Sequence, residues 1–98
     1  MPDDTAATRA DLLRRLYCAE GHLRSIARMI EGGTDCASIL HQTLAVRAAL
    51  GEINRRLVKH HLATCLREGL NAADPAARQR CLAEVVSLYE LSARKEFA

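Results

Sequence analysis

The chain has 98 residues and a net charge of +2, which is room for one domain with a modest core, read here as a single unit over residues 1–98. Apolar residues make up 49% of it and aromatics only 3%. The apolar mass is therefore Leu, Ala, Ile and Val, which suits packed helices better than strands and argues against an aromatic platform for single-stranded nucleic acid.

The weak positive charge does not by itself announce a nucleic-acid partner. The kind of charge says more, because twelve of the 14 basic residues are Arg, the side chain that grips phosphate bidentately. The opening Met1-Pro2-Asp3-Asp4 has no basic or apolar stretch of a signal peptide. No apolar run reaches membrane-spanning length. The expectation is a cytosolic chain with no membrane partner. Its four cysteines, Cys18, Cys36, Cys65 and Cys81, are then expected to be reduced, as ligands, reactive thiols or core rather than disulfides.

In chain order, Leu12, Leu16, Ala19, Leu23, Ile26 and Ile30 recur at spacings that alternate four and three, a heptad seam. Thr5 can cap this helix and Gly32-Gly33 can end it, which predicts a first helix over roughly residues 6–31. Thr34 or Asp35 can cap a second helix that carries Val46, Leu50, Ile53 and Leu57 at seam spacing and runs to about Gly69, weakened slightly by Gly51. Asn71 to Asp74 read as a turn. Asp74 then caps a third helix with Pro75 at its first position, ending near residue 92 and carrying Leu82, Val85, Val86, Leu88 and Tyr89. No strand pattern competes, so the fold class is all-α. No helix-turn-helix signature is present, because the second helix is too long for a compact recognition helix.

His61 and Cys65 lie four apart on the second helix and leave the same face, a common metal-ligand spacing. Alone this is weak, since a half-exposed histidine over a packed cysteine gives the same pattern. Cys36 falls in the first turn of the same helix, where the dipole favours negative charge. Its place after Gly-Gly-Thr-Asp predicts exposure rather than burial. Cys36 and His61 are 25 residues apart, or roughly 37 Å at 1.5 Å per residue, whereas metal bonds are about 2.0–2.3 Å. One unbroken helix cannot bring them together. Two copies can, if their second helices pack antiparallel, and twofold symmetry then gives two sites. Two thiolates and one imidazole form a soft set, and low-coordinate Cu(I) fits it without the fourth ligand that Zn(II) usually wants.

The stretches Glu20-Gly21-His22-Leu23 with Arg28-Met29-Ile30, Asp35-Cys36, Ala45-Val46-Arg47-Ala48-Ala49-Leu50 and His61-Leu62-Ala63-Thr64-Cys65 resemble the copper-sensitive operon repressor family, in order and over nearly the whole chain. That group also contains nickel/cobalt, formaldehyde and persulfide sensors. The resemblance implies a three-helix subunit, an antiparallel helical-bundle dimer pairing into a dimer-of-dimers tetramer, binding to double-stranded operator DNA, and release of that DNA on sensing. Cys36, His61 and Cys65 look like its copper(I) pattern. The family's copper sensors typically have Tyr where this chain has Asp35 and Glu where it has Cys81, residues that hydrogen-bond the metal-bound imidazole. Asp35 can accept from His61 in that role, and Cys81 can be a packed core thiol or an added sulfur ligand.

Arg14, Arg15, Arg47, Arg55, Arg56 and Lys59 are the candidates for DNA contact. From charge alone an ordinary solvated face is the simpler reading. The resemblance favours Arg15 in particular. Cys18 with His22, four apart on the first helix, reads as solvated or packed rather than as a second site, for want of a third ligand. His41 and His60 are expected to face solvent. Pro2 becomes a secondary amine if Met1 is removed, and formaldehyde sensors of the group use such a proline with the cysteine matching Cys36. The leading expectation is thus a Cu(I)-responsive repressor. The alternatives are a persulfide or formaldehyde sensor of the same fold, using Cys36 with Cys65 or Pro2, and, from another class, a cytosolic metal-buffering protein. Nothing resembles a general acid–base set, so no enzyme is expected.

Overall fold

Helix-ending and helix-starting residues divide the chain as its sequence leads one to expect. The structure, a computed structural model, describes residues 5–70 and 73–94. Among them it contains three helices, α1 (Thr5–Glu31), α2 (Cys36–Leu70) and α3 (Pro75–Ser92), and no strand. No helix among these residues is long and apolar enough to cross a membrane. Packing divides the chain into two compact units, Met1–Ile53 and Asn54–Ala98, with the boundary inside α2.

In the first unit, α1 stops where Gly33 adopts φ +74, a left-handed conformation open to Gly at little cost. Around it the Thr34 amide donates to the Met29 carbonyl (2.9 Å) and the Gly33 amide to the Ile30 carbonyl (3.2 Å). These are the paired bonds of a Schellman cap, and they satisfy carbonyls that the helix end leaves open. Of the two residues able to start α2, Asp35 does so: its carboxylate accepts from the Ser38 amide (3.0 Å) and the Ser38 hydroxyl (2.9 Å). These bonds favour the charged form and hold the Asp35 carboxyl below its ordinary 3.8.

The core of this unit is Ala19 and Ile26 from α1 with Val46 and Ile53 from α2, all buried. Each pair is one heptad apart, so every second seam position is packed. The alternate positions are not: Leu16, Leu23 and Ile30 remain 46%, 50% and 60% exposed. The seam read from the sequence is therefore only half used within one chain. His22 Nε2 and Gln42 Oε1 join α1 to α2 at 2.6 Å.

In the second unit, the end of α2 packs on α3. Asp74 starts α3 by accepting from the Ala76 amide (3.0 Å), with Pro75 at the first position, where a missing N–H costs nothing. Gly69, expected to end α2, lies just inside it and has another use. A Cβ there would fall 2.7 Å from Cys81 Cβ and 3.0 Å from its Sγ. The missing side chain lets α3 approach α2 at the level of Cys81, which is buried. Part of the turn expected over residues 71–74 lies outside the described residues, as does Pro2.

Candidate metal centre

The heptad register of α2 and the close approach at Gly69 bring four chemically active side chains of the second unit to one place. His61 and Cys65, one turn apart on α2, face Cys81 and Glu84, one turn apart on α3. His61 Nε2 donates to Glu84 Oε2 at 2.9 Å. The pair is half exposed, so it contributes little as an ion pair. Its value lies in orientation: a ring that donates from Nε2 carries its lone pair on Nδ1. These residues line an open groove of about 290 Å³ together with Thr64, Glu68, Gly69, Ala77 and Arg80. The Thr64 hydroxyl is buried there without a hydrogen-bond partner, a rare state for a buried polar group.

Glu84 is the residue that sequence reasoning missed. The resemblance implies a carboxylate at position 81, where this chain has Cys. The signal was available, because residues three apart on a helix share a face, and Glu84 is the acid on the face of Cys81.

Cys65 and Cys81 correct the expectation that all four cysteines are reduced: their sulfurs are joined in a disulfide with a Cα–Cα separation of 5.7 Å. The expectation rested on compartment alone. It did not foresee that Gly69 would set the two thiols face to face, at a spacing inside the usual disulfide range. Cys18 and Cys36 are thiols, both exposed. In this oxidised form Cys65 has no thiolate to offer a metal.

Cys36 is the first residue of α2 and lies in the first unit, with Asp35 beside it committed to Ser38. α2 runs without interruption from Cys36 to Leu70. Among the described residues no group of three or more His, Cys, Asp or Glu side chains is arranged to hold a metal ion. The donors nonetheless suit a soft ion: two sulfurs and an imidazole whose orientation Glu84 fixes, once Cys65 is reduced. Of the remaining histidines, His41 is exposed as expected, but His60 is half-buried rather than solvated. Cys18 is exposed and His22 is held by Gln42, so these two form no site.

The basic candidates lie on α1 and α2. Arg14 Nη2 and Arg15 Nε both bind the Asp11 carboxylate, at 2.6 and 3.0 Å. Arg47, in the first unit, and Arg55, Arg56 and Lys59, in the second, are exposed on α2. Arg55 and Lys59 are four apart and share a face.

A long three-helix chain with a sulfur–imidazole pair and arginine-rich helix faces is the make-up of a helical metal-responsive regulator. The chain belongs to the family described as metal-sensitive transcriptional repressors, whose model matches residues 8–91. These are repressors, not enzymes. Among curated relatives, it is 42% identical over 53 residues to the copper-sensing transcriptional repressor CsoR of Mycobacterium ulcerans, covering 54% of this chain and 45% of that protein. It is 38% identical over 64 residues to the copper-sensing transcriptional repressor RicR of Mycobacterium tuberculosis, covering 65% and 67%. It is 27% identical over 79 residues to the CsoR of Bacillus subtilis, covering 81% and 75%. The match thus spans less than half the length of the first of these relatives. No solved structure matches the chain.

Proposed function

We propose that this chain is a Cu(I)-responsive transcriptional repressor that binds operator DNA without metal and releases it when Cys36, His61 and Cys65 take up the ion. The observation that carries the reading is the placement of the donors along α2. His61 and Cys65 sit one turn apart near its end, and Cys36 is its first residue, with no break between. Among the described residues of one chain, no three donors are gathered. Cys36 of one copy and His61 with Cys65 of another would complete the set, and bound Cu(I) supplies a link between the two. The half-used seam, with Leu16, Leu23 and Ile30 exposed, supports self-association into a dimer and a tetramer, since apolar patches of this kind mark interaction surfaces. The copper-sensing function named for the relatives from Mycobacterium and Bacillus supports the choice of ion.

Each side chain has a part. Glu84 holds the His61 ring so that Nδ1 is the ring nitrogen with a lone pair to give. Asp35 caps α2 through Ser38 and fixes the turn that carries Cys36; across two antiparallel copies it would act on the His61 ring of the other. Arg14, Arg15, Arg47, Arg55, Arg56 and Lys59 neutralise phosphate, the main source of affinity for duplex DNA. To pass from nearly all bound to nearly all released, DNA affinity must differ between the two states by about 10⁴-fold, or ~5.5 kcal/mol.

A second reading has its own observation. The joined Cys65 and Cys81 favour thiol chemistry, and hence persulfide sensing in the same fold. Anaerobic titration of the DNA-bound, fully reduced chain with Cu(I), Ni(II), persulfide and formaldehyde in parallel separates them. Release by Cu(I) at the lowest concentration supports the first reading. Release by persulfide with none by Cu(I) replaces it by the second.

A further inference from the structure

We propose that Cys65 and Cys81 form an intrachain oxidation site that reacts with small-molecule disulfides and thereby withdraws Cys65 from the metal-binding set. The second half of this statement rests on the copper reading above; the first half does not.

Three observations place the site. The two cysteines face each other across α2 and α3 with Cα atoms 5.7 Å apart, and their sulfurs are joined. That separation is set by the backbone, because Gly69 admits Cys81 where any Cβ would collide. The pairing is therefore built into the helix contact and needs no rearrangement of the fold. Finally, the two cysteines differ in access. Cys81 is buried, Cys65 is half-buried, and the open groove reaches both. A reagent arriving through the groove meets Cys65 first, and Cys81 stands behind it as the resolving thiol.

The chemistry closes without any further oxidant. The Cys65 thiolate attacks one sulfur of the small disulfide, forming a mixed disulfide and expelling one small thiolate. The Cys81 thiolate then attacks the Cys65 sulfur and expels the second. Two protein thiols are oxidised by two electrons, one small disulfide is reduced to two thiols, and the two protons lost by the cysteines balance those taken up by the released thiolates. A disulfide sulfur carries no thiolate charge, and the thiolate is the form that ligates metal. Oxidation thus leaves only Cys36 and His61 of the three proposed donors. The chain would then respond to Cu(I) only while small thiols keep Cys65 reduced, joining metal sensing to thiol status at one atom.

The test uses the full-length, metal-free chain equilibrated anaerobically across mixtures of reduced and oxidised glutathione, then alkylated and mapped by mass spectrometry. The expected result is protection of two of the four cysteines, with Cys65 and Cys81 recovered as one linked peptide from a single chain and Cys18 and Cys36 alkylated. Cu(I) binding, measured on the same samples, should vanish over the same range of mixtures. In Cys81→Ala the first attack has no resolving thiol behind it, so the linked peptide should be absent, and any Cys65 withheld from alkylation should carry one glutathione and be lost only at more oxidising mixtures than in the wild-type chain. Cys65 that remains alkylatable in the wild-type chain, or that is recovered linked to Cys36, overturns the proposal, and this reading needs no variant. If the wild-type pair is protected as expected but the reduced chain binds no Cu(I), the oxidation site stands and the copper reading fails.

Discussion

His61 and Glu84 stand 2.9 Å apart, Nε2 to Oε2, across α2 and α3. The contact selects which ring nitrogen is left with a lone pair, and it ties the orientation of a proposed ligand on α2 to the placement of α3. Groups that hold a metal-bound imidazole in this way typically change metal affinity or activity by about 10–100-fold when removed. Glu84→Ala should therefore weaken Cu(I) binding by about that factor, read by competition with a Cu(I) chelator, while the helical circular-dichroism signal stays unchanged. Undiminished affinity would show that the contact is an ordinary surface pair.

Asp35 works at the other end of α2. Its carboxylate caps the helix through Ser38 and is held below its ordinary 3.8. A carboxyl depressed in the folded state stabilises the fold above its unfolded value, and the contribution is lost as pH falls through the folded value. Asp35→Ala should thus lower the melting temperature at neutral pH, and the gap from wild type should close on acidification below about pH 4. Because Cys36 and Cys65 supply most of the affinity for a soft ion, the same variant should bind Cu(I) nearly as wild type while releasing DNA less completely. Equal release would confine Asp35 to capping.

Gly69 gives a prediction independent of function. A Cβ added there meets Cys81 Cβ at 2.7 Å, and two helix backbones must move apart to admit it. Overpacking of this kind costs about 1–3 kcal/mol, against a gain of up to ~1 kcal/mol for Ala over Gly in a helix. Gly69→Ala should lower stability in urea denaturation and slow formation of the Cys65–Cys81 disulfide. A stabilised variant would mean that the two helices are further apart than described.

On the DNA side, Arg15 shares Asp11 with Arg14. Arg15→Ala should weaken DNA binding and reduce the slope of log affinity against log salt by about one unit per lost phosphate contact. Asp11→Asn, which removes the competing carboxylate, should strengthen binding. Slopes that do not move in either variant would put the DNA face elsewhere.

The three helices and their ends were legible because each rests on local chemistry: the left-handed Gly33, the Asp35 and Asp74 caps, Pro75 at a first position. The spacing of His61 and Cys65 was legible for the same reason. What escaped the sequence depends on register between helices. That Cys81 meets Cys65, and that Glu84 meets His61, follows from how α3 sits on α2 at Gly69, and a periodicity within one helix carries no information about that. The seam of α1 was readable as apolar from its spacing; that Ala19 and Ile26 are the covered positions and Leu16, Leu23 and Ile30 the exposed ones depends on the same register between helices.

The intersubunit metal site is tested most directly by mixing two inactive chains. Cys36→Ala retains His61 and Cys65, and Cys65→Ala retains Cys36. Each alone should bind no Cu(I) tightly. Co-refolded under reducing, anaerobic conditions, the mixed dimer should recover one of the two sites of the wild-type dimer, counted by Cu(I) titration of the isolated heterodimer. A heterodimer that forms but binds no tight Cu(I) contradicts the account, because it would mean that Cys36 of one copy does not meet His61 and Cys65 of the other.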